Sequence, residues 1–192
     1  LISACASQSM PAVALLDRDG VYGAPRFHMA ARKAGVRAHI GAEVSVQDAG
    51  LQSVVPAWIK TPAAPQPVRY SLLVETAEGY RNLCGLITQY KLREKAKGEG
   101  RATLDELQAH SKGLVCLTGG EEGPLAATLA NGGYDAARNE VERLIRIFGP
   151  SNVYVELQRH FDRQEEFRNQ AAVRIAHSLG LPLLATNGVR YA

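Results

Sequence analysis

Ionisable side chains directly follow, or lie within, several short apolar segments of this chain. These segments are typical of strands, and the side chains are Asp17, Arg18, Asp19, Glu43, His160 and Arg190. Carboxylates and imidazoles bind metals and catalyse proton transfer, whereas guanidinium groups bind carboxylates or phosphates. In α/β folds ligands bind at the carboxyl ends of strands, because loops there bring side chains together over a rigid sheet. Each residue alone is more often a surface or hydrogen-bonding residue, but their recurrence predicts a site at the strand ends.

The first complete elements predict a strand, a helix and a second strand. Residues 12–16 are a continuous apolar run, which is typical of a strand buried on both faces. A helix with Pro25 in its first turn follows, and Gly35 ends it. Residues 40–44 form the second strand, in which Glu43 is a lone carboxylate among apolar neighbours. A buried acid of this kind requires a partner.

Strands and helices alternate along the rest of the chain, which predicts an α/β fold in one domain, residues 1–192. Residues 1–8 are expected to be the end of a helix, and residues 47–68, rich in proline, predict a loop or hairpin excursion. Thr103 and Glu106 predict a capping box. The further expected strands are 69–74, 113–118, 153–157 and 181–186, and the further expected helices are 77–93, 103–110, 124–130, 134–148 and 163–179.

Composition and charge exclude several classes of protein. The net charge is +3, from 22 basic and 19 acidic residues, which is too small to indicate nucleic-acid binding by itself. Cys5, Cys84 and Cys116 are odd in number and widely spaced, so a disulfide framework or a zinc ribbon is disfavoured and a reduced, cytoplasmic compartment is expected. No apolar run approaches the ~20 residues of a membrane span. We therefore expect no membrane partner.

Six segments, taken in order, carry a specific resemblance. They are LDRDGVYG, IGAEV, EGYRNLCGLI, LTGGEEGPL, VYVELQRH and LPLLATNGVRYA. Together they resemble the polymerase-and-histidinol-phosphatase (PHP) domain of bacterial C-family DNA polymerases, over residues 10–192. EGYRNLC and ELQRH are most similar to the error-prone alpha-type polymerases. The resemblance implies a distorted (β/α)7 barrel, and it places the first strand of that barrel, with an H-x-H pair, before Leu1 and outside this chain.

The resemblance also assigns positions to a metal site. Metal-binding members of the family hold divalent ions with histidines and acids at the strand ends, and some use them for phosphoester hydrolysis or 3′–5′ proofreading. Arg18, Arg69 and Arg190 stand where those members carry histidines, and Gly188 stands where they carry an aspartate. Asp17 and Asp19 belong to the same motif as Arg18, and the resemblance implies that the ligands Glu43 and His160 are retained.

The substituted positions lead to a hypothesis about charge. Arginine cannot ligate a metal, because its guanidinium group has no available lone pair and stays protonated. We expect the arginines to replace the metal charges by neutralising Glu43 together with Asp17 or Asp19. The domain should therefore hold no cofactor, and any metal would have to rely on Glu43 and His160.

The resemblance implies a structural role in a bacterial DNA polymerase alpha subunit, replicative or error-prone. The parent chain would carry out Mg-dependent nucleotidyl transfer in another domain, and this domain alone should be inactive. Its expected partners are the remaining polymerase domains, DNA through them, and other replication or translesion subunits.

Two alternatives remain open. One is a Zn- or Mn-dependent 3′–5′ exonuclease or phosphoesterase that uses Glu43 and His160. The other is binding of phosphate or pyrophosphate by the arginine cluster, because three arginines facing one or two acids would leave positive charge unpaired.

Overall fold

The computed structural model describes residues 1–47, 67–94, 98–160 and 163–188. Within these ranges the helices are α1 (Ile2–Ser7), α2 (Ala24–Ala34), α3 (Ala77–Arg93), α4 (Leu104–Ala109), α5 (Pro124–Phe148) and α6 (Arg163–Leu179). The strands are β1 (Ala12–Arg18), β2 (Arg37–Gln47), β3 (Val68–Val74), β4 (Ala102–Thr103), β5 (Leu114–Leu117), β6 (Val153–Leu157) and β7 (Leu183–Ala185). A 3₁₀ turn, Pro150–Asn152, leads into β6.

The described strands form one curled, half-barrel sheet in the order β1-β2-β3-β5-β6-β7, and β4 pairs with β2. β3 runs antiparallel to both β2 and β5, whereas the other neighbouring pairs are parallel. A regular βα barrel has parallel strands throughout. The predicted α/β class with a distorted barrel is therefore confirmed, and the reversed strand β3 is one source of the distortion.

The direction of β3 determines which residues meet at one edge of the sheet. Because β3 is antiparallel, its first residues lie beside the carboxyl ends of β2 and β5, and Arg69 pairs with Ser45. On the other side of β2, Arg18 at the end of β1 pairs with Glu43. The register thus brings residues from separate strands to the edge where the site was predicted.

The core lies between the sheet and the helices packed against it. Tyr70, Leu72, Leu83, Leu86, Tyr90, Leu114, Leu144, Val153 and Ile175 are all fully buried. Burial of one large apolar side chain contributes about 1.5–3 kcal/mol, so this cluster fixes the positions of the strands. The strand ends can then carry polar side chains on a rigid support.

The prediction that β1 is buried on both faces was wrong. Ala14 is exposed and the apolar residues around it are only half-buried. In the described part of the structure β1 is the last strand of the sheet and pairs with β2 alone. A continuous apolar run cannot distinguish an edge strand from a central one, because both have the same composition.

Most element boundaries agree with the sequence pattern. The helices at 77–93 and 163–179 and the strand at 153–157 have the predicted bounds, and the capping box of Thr103 and Glu106 is present. The two helices expected at 124–130 and 134–148 are parts of α5, which has a kink at Gly133.

The predicted excursion at residues 47–68 lies, apart from its ends, outside the described residues. Among the described helices there is none whose length and apolar character would let it cross a membrane.

Candidate functional site

Arg18 and Arg69 lie at the same edge of the sheet, and each contacts two carboxylates. Nε of Arg18 lies 3.3 Å from Oε2 of Glu43, and its Nη2 donates to Oε2 of Glu122 at 2.7 Å. Nε of Arg69 lies 3.1 Å from the same oxygen of Glu122, and its Nη1 lies 3.3 Å from Oδ2 of Asp19. Glu122 therefore joins the two guanidinium groups. We call these five residues the arginine pocket.

Asp19 accepts hydrogen bonds from three other residues. The backbone N–H and the hydroxyl group of Ser45 donate to it at 2.7 and 2.8 Å, and the hydroxyl group of Tyr90 donates at 2.8 Å. Arg69 completes the set. The backbone of Asp19 has a φ of 48° and donates its N–H to the carbonyl oxygen of Glu43 at 2.9 Å. Aspartate tolerates this left-handed conformation better than most residues, and here it turns the carboxylate toward β2 and β3.

Tyr90 reaches Asp19 from the core. Its side chain is fully buried on α3. Burial, followed by the negative charge of Asp19 and the hydrogen bond to it, raises the pKa of Tyr90 far above its ordinary value. Tyr90 therefore remains a hydrogen-bond donor to Asp19 at any ordinary pH, which links the arginine pocket to the hydrophobic core.

Glu122 is a member of the pocket that the strand-end pattern did not identify. It lies in the loop between β5 and α5, where the N–H of Gly123 donates to the carbonyl oxygen of Gly120 at 3.1 Å and closes a turn. Its own carbonyl oxygen accepts the N–H of Arg69 at 2.9 Å, in addition to the side-chain contact. Two adjacent glutamates shortly after a predicted strand were the available signal, since Arg18, Asp19 and Glu43 had been found by their places at or near strand ends.

The charges of the arginine pocket are close to balanced. Two guanidinium groups contact three carboxylates, so one net negative charge remains among the described members. Asp17 is not part of this set: its carboxylate accepts the N–H of Gly23 at 2.6 Å, at the start of α2. Of the two aspartates that flank Arg18, Asp19 is thus the one that contacts an arginine.

His160 has a separate set of partners. Its Nδ1 lies 2.9 Å from Oε1 of Glu165, its Nε2 lies 2.9 Å from the carbonyl oxygen of Asn187, and its backbone N–H donates to Glu165. Both ring nitrogens face acceptors, so both must carry hydrogen for the two bonds to form. The two bonds therefore favour the protonated, imidazolium form of His160.

The pKa values of this pair shift in opposite directions. The hydrogen bond to Asn187 and then that to Glu165 raise the pKa of His160. Burial would raise the pKa of Glu165, but the hydrogen bonds and charge of His160, with Arg168 nearby, lower it. An ion pair between protonated His160 and ionised Glu165 is the arrangement that these shifts favour.

The remaining predicted positions lie near the end of β7. Gly188 has a φ of 54° and lies beside the carboxamide of Gln158. Arg190 lies outside the described residues. The assignment of these positions, and of the other six, to a former metal site stays a prediction.

The donor chemistry of this edge does not fit a divalent metal. Arg18 and Arg69 have no lone pair to donate, and Glu43 already contacts Arg18. Both nitrogens of His160 are engaged with acceptors. Within the described ranges no group of three or more His, Cys, Asp or Glu side chains is arranged to hold a metal ion.

Comparison with known proteins identifies the family. The model of the PHP domain family matches residues 1–160. An error-prone DNA polymerase of Mycolicibacterium paratuberculosis is 34% identical over 193 residues, which cover 100% of this chain and 17% of the polymerase. The DNA polymerase III alpha subunit of Pseudomonas aeruginosa is 31% identical, with 100% of this chain and 15% of the subunit covered. That of Caulobacter vibrioides is 32% identical, with 97% and 16% covered.

The chain thus spans 15–17% of the length of these relatives. A solved structure from Bifidobacterium adolescentis, of a proposed metal-dependent phosphoesterase, has a TM-score of 0.47 and 13% identity, and it covers 100% of this chain and 83% of its own. The resemblance inferred from the six sequence segments is confirmed by the family match and by the polymerase relatives. The chain belongs to the PHP domain family.

Proposed function

We propose that this chain is the PHP domain of a bacterial C-family DNA polymerase and that it acts structurally, without a metal ion. The polymerase relatives, replicative and error-prone, match it along nearly its whole length. Nucleotidyl transfer, which uses Mg²⁺, belongs to another part of the parent chain. The proposed partners are the remaining polymerase domains, DNA through them, and other replication or translesion subunits, in the cytoplasm.

The observation that carries the proposal is the set of contacts made by Arg18 and Arg69. The resemblance implies that both arginines stand where metal-binding members carry ligand histidines, and both contact carboxylates of the same edge. A fixed positive charge there does what a dication would do for those carboxylates: it offsets their mutual repulsion and holds the strand ends together. Arg69 is only 15% exposed, so this effect is weakly screened by solvent.

The alternative of a metal-dependent exonuclease or phosphoesterase depends on Glu43 and His160. Catalysis by Zn²⁺ or Mn²⁺ requires ligands that fix the ion and leave a position for water or substrate. Glu43 contacts Arg18, and His160 is engaged with Glu165 and Asn187. These contacts favour the proposed structural role over metal-dependent hydrolysis.

The alternative of anion binding depends on unpaired positive charge. The described arginines contact three carboxylates rather than one or two, which leaves the arginine pocket with a net negative charge. A phosphate or pyrophosphate would have to displace at least one of these carboxylates. The charge balance therefore favours the structural reading over this alternative as well.

A nuclease assay tests the proposal. The parent polymerase, or this chain, is incubated with a 3′-labelled oligonucleotide in Mn²⁺ or Zn²⁺, beside the matched variant Glu43→Gln. The proposal expects no release of label above the rate of the variant. Metal-dependent hydrolysis that Glu43→Gln abolishes would overturn the structural reading and establish the phosphoesterase alternative.

A further inference from the structure

Gln158 lies in the β6–β7 half of the strand-end edge, away from the ion pairs of Arg18 and Arg69. It follows β6, and its carboxamide nitrogen donates to Oε1 of Glu156 at 3.0 Å and to the hydroxyl group of Thr186 at 3.3 Å. Thr186 also donates to Glu156. The backbone carbonyl oxygen of Gln158 accepts from the side chain of Asn169 at 2.7 Å. The residue is thus held by β6, by the end of β7 and by α6.

The carboxamide of Gln158 fills the space between two glycines. A Cβ atom on Gly120 would lie 2.6 Å from Oε1 and 2.9 Å from the Cδ atom of Gln158. A Cβ atom on Gly188 would lie 3.1 Å from both Oε1 and Nε2. A Cβ carbon does not approach a non-bonded atom to 2.6 Å, so only glycine fits at position 120 while Gln158 keeps this conformation.

One loop connects this region with the arginine pocket. The loop between β5 and α5 carries both Gly120, which contacts Gln158, and Glu122, which contacts the two arginines. Gly120 and Glu122 are two residues apart. The loop is therefore held by ion pairs at Glu122 and by the neutral amide of Gln158 at Gly120. The resemblance implies an aspartate at the position of Gly188 in metal-binding members, and here the Gln158 amide occupies the adjacent space.

We infer that the half-buried Gln158 carboxamide is a plug, which fills the space between Gly120 and Gly188 and, while it keeps this conformation, leaves no room for a side chain at position 120. The inference rests on the proposed function, because it treats this part of the strand-end edge as structural. It makes Gln158 a positioning residue for the loop that carries Glu122. It also explains why glycines face each other across the carboxamide.

A double-mutant cycle in thermal unfolding tests the plug. Gly120→Ala should lower Tm by at least about 2 °C, because its methyl group would meet the carboxamide, and the φ of Gly120 lies outside the left-handed region that favours glycine. In the Gln158→Ala background, Gly120→Ala should lower Tm by less than half as much. Gln158→Ser replaces Gln158→Ala if the alanine variant folds poorly. Gly188→Asn, which suits a positive φ, should show the same dependence on Gln158.

Gly119→Ala is the matched control. Gly119 has a φ of 75°, and its added Cβ would meet the Cα atom of Gly123 at 2.8 Å, so its cost does not involve Gln158. It should lower Tm equally in both backgrounds. If Gly120→Ala and Gly188→Asn also cost the same in both backgrounds, or if neither lowers Tm, the plug is wrong.

The cycle is measured in buffer containing a chelator, so it separates this inference from the proposed function. Metal binding by the unmodified protein would overturn the proposed function without changing the coupling of Gly120 and Gln158. Loss of that coupling in metal-free protein would overturn the plug alone.

Discussion

Each guanidinium group of the arginine pocket contacts two different carboxylates. Arg18 joins Glu43 to Glu122, and Arg69 joins Glu122 to Asp19. A planar guanidinium group can do this because its donors point in fixed, divergent directions, whereas a lysine ammonium group is a point charge on a flexible stem. Arginine therefore suits these positions both as a bridge between carboxylates and as a source of positive charge.

Glu122→Gln tests the shared acid. The substitution removes the charge that both arginines contact while keeping the size of the side chain. Since hydrogen bonds to charged groups contribute about 1.5–3 kcal/mol and Glu122 is partly exposed, we expect a loss of about 1–2 kcal/mol in the free energy of unfolding. Urea denaturation at neutral pH measures it.

Glu121→Gln is the control for this substitution. Glu121 is the neighbouring residue of the same loop, and among the described residues it takes part in no ion pair with the arginines. Its substitution should change the stability by less than about 0.5 kcal/mol. Equal losses for the two variants would mean that Glu122 does not join the arginines.

The pair of His160 and Glu165 predicts a pH dependence. The pKa of His160 is raised, so its contribution to stability is fully present below its ordinary pKa of 6.5 and is lost as pH rises through the folded-state value. The pKa of Glu165 is lowered, so its contribution is present above 4.5 and is lost as pH falls through the folded-state value. The pair should contribute most between about pH 4.5 and 6.5.

An NMR titration of the His160 ring measures this shift. The ring should titrate above pH 6.5 in the unmodified protein, and Glu165→Gln should move its pKa downward because one of the two acceptors loses its charge. A pKa at or below the ordinary value, unchanged by Glu165→Gln, would contradict the imidazolium assignment.

At the scale of single residues, the sequence identified both arginines of the arginine pocket but not all of the carboxylates that they contact. Arg18 and Arg69 were identified because the resemblance implies histidines at their positions in metal-binding members. Glu122 was missed because two glycines and Glu121 separate it from the predicted strand 113–118, so it does not directly follow a strand. The choice of Asp19 over Asp17 depends on the left-handed backbone of Asp19, which no periodicity reveals.

At the scale of elements, the reversal of β3 builds the arginine pocket. Arg69 is the second residue of its strand, and in a parallel strand it would lie at the opposite edge of the sheet. Because β3 is antiparallel to β2 and β5, Arg69 meets Ser45 and the loop that follows β5. The site therefore depends on strand direction as much as on residue type.

The kink of α5 gives a test at the same scale. Gly133 has φ 73° and ψ −166°, a combination that is nearly restricted to glycine, and an added Cβ would contact nothing within 4 Å. Gly133→Ala should therefore cost about 1–3 kcal/mol through backbone strain alone, measured by thermal or urea unfolding.

Asn139→Ala in the same helix is the control. Asn139 is exposed and lies in a regular part of α5, so its substitution should change the stability by no more than about 0.5 kcal/mol. A Gly133→Ala protein as stable as this control would show that the kink is not required.

Elements with strong periodicity and glycine or threonine caps were predictable. α3 and α6 have the predicted bounds because their apolar residues recur at helical spacing. The sequence placed the break in α5 correctly near Gly133. It did not predict that the two halves continue as one kinked helix, since that depends on how both halves pack. The exposure of β1 depends on the number of its neighbours, which composition does not encode.

At the scale of the whole molecule, the described polar side chains of the strand-end edge contact one another. Ion pairs fill the part formed by β1, β2 and β3, and the Gln158 network fills the part formed by β6 and β7. The chain corresponds to 15–17% of the polymerases that it resembles. An edge whose arginines are all paired with carboxylates of the same chain, among the described residues, suits a domain that supports a larger chain.

The central claim is that arginines have taken over the role of metal ions at this edge. Anomalous diffraction from crystals soaked in Mn²⁺ or Zn²⁺ tests it most directly. The account predicts no ordered ion at the arginine pocket or beside His160, with Arg18 still contacting Glu43. An ion coordinated by Glu43 and His160, with Arg18 displaced, would contradict it.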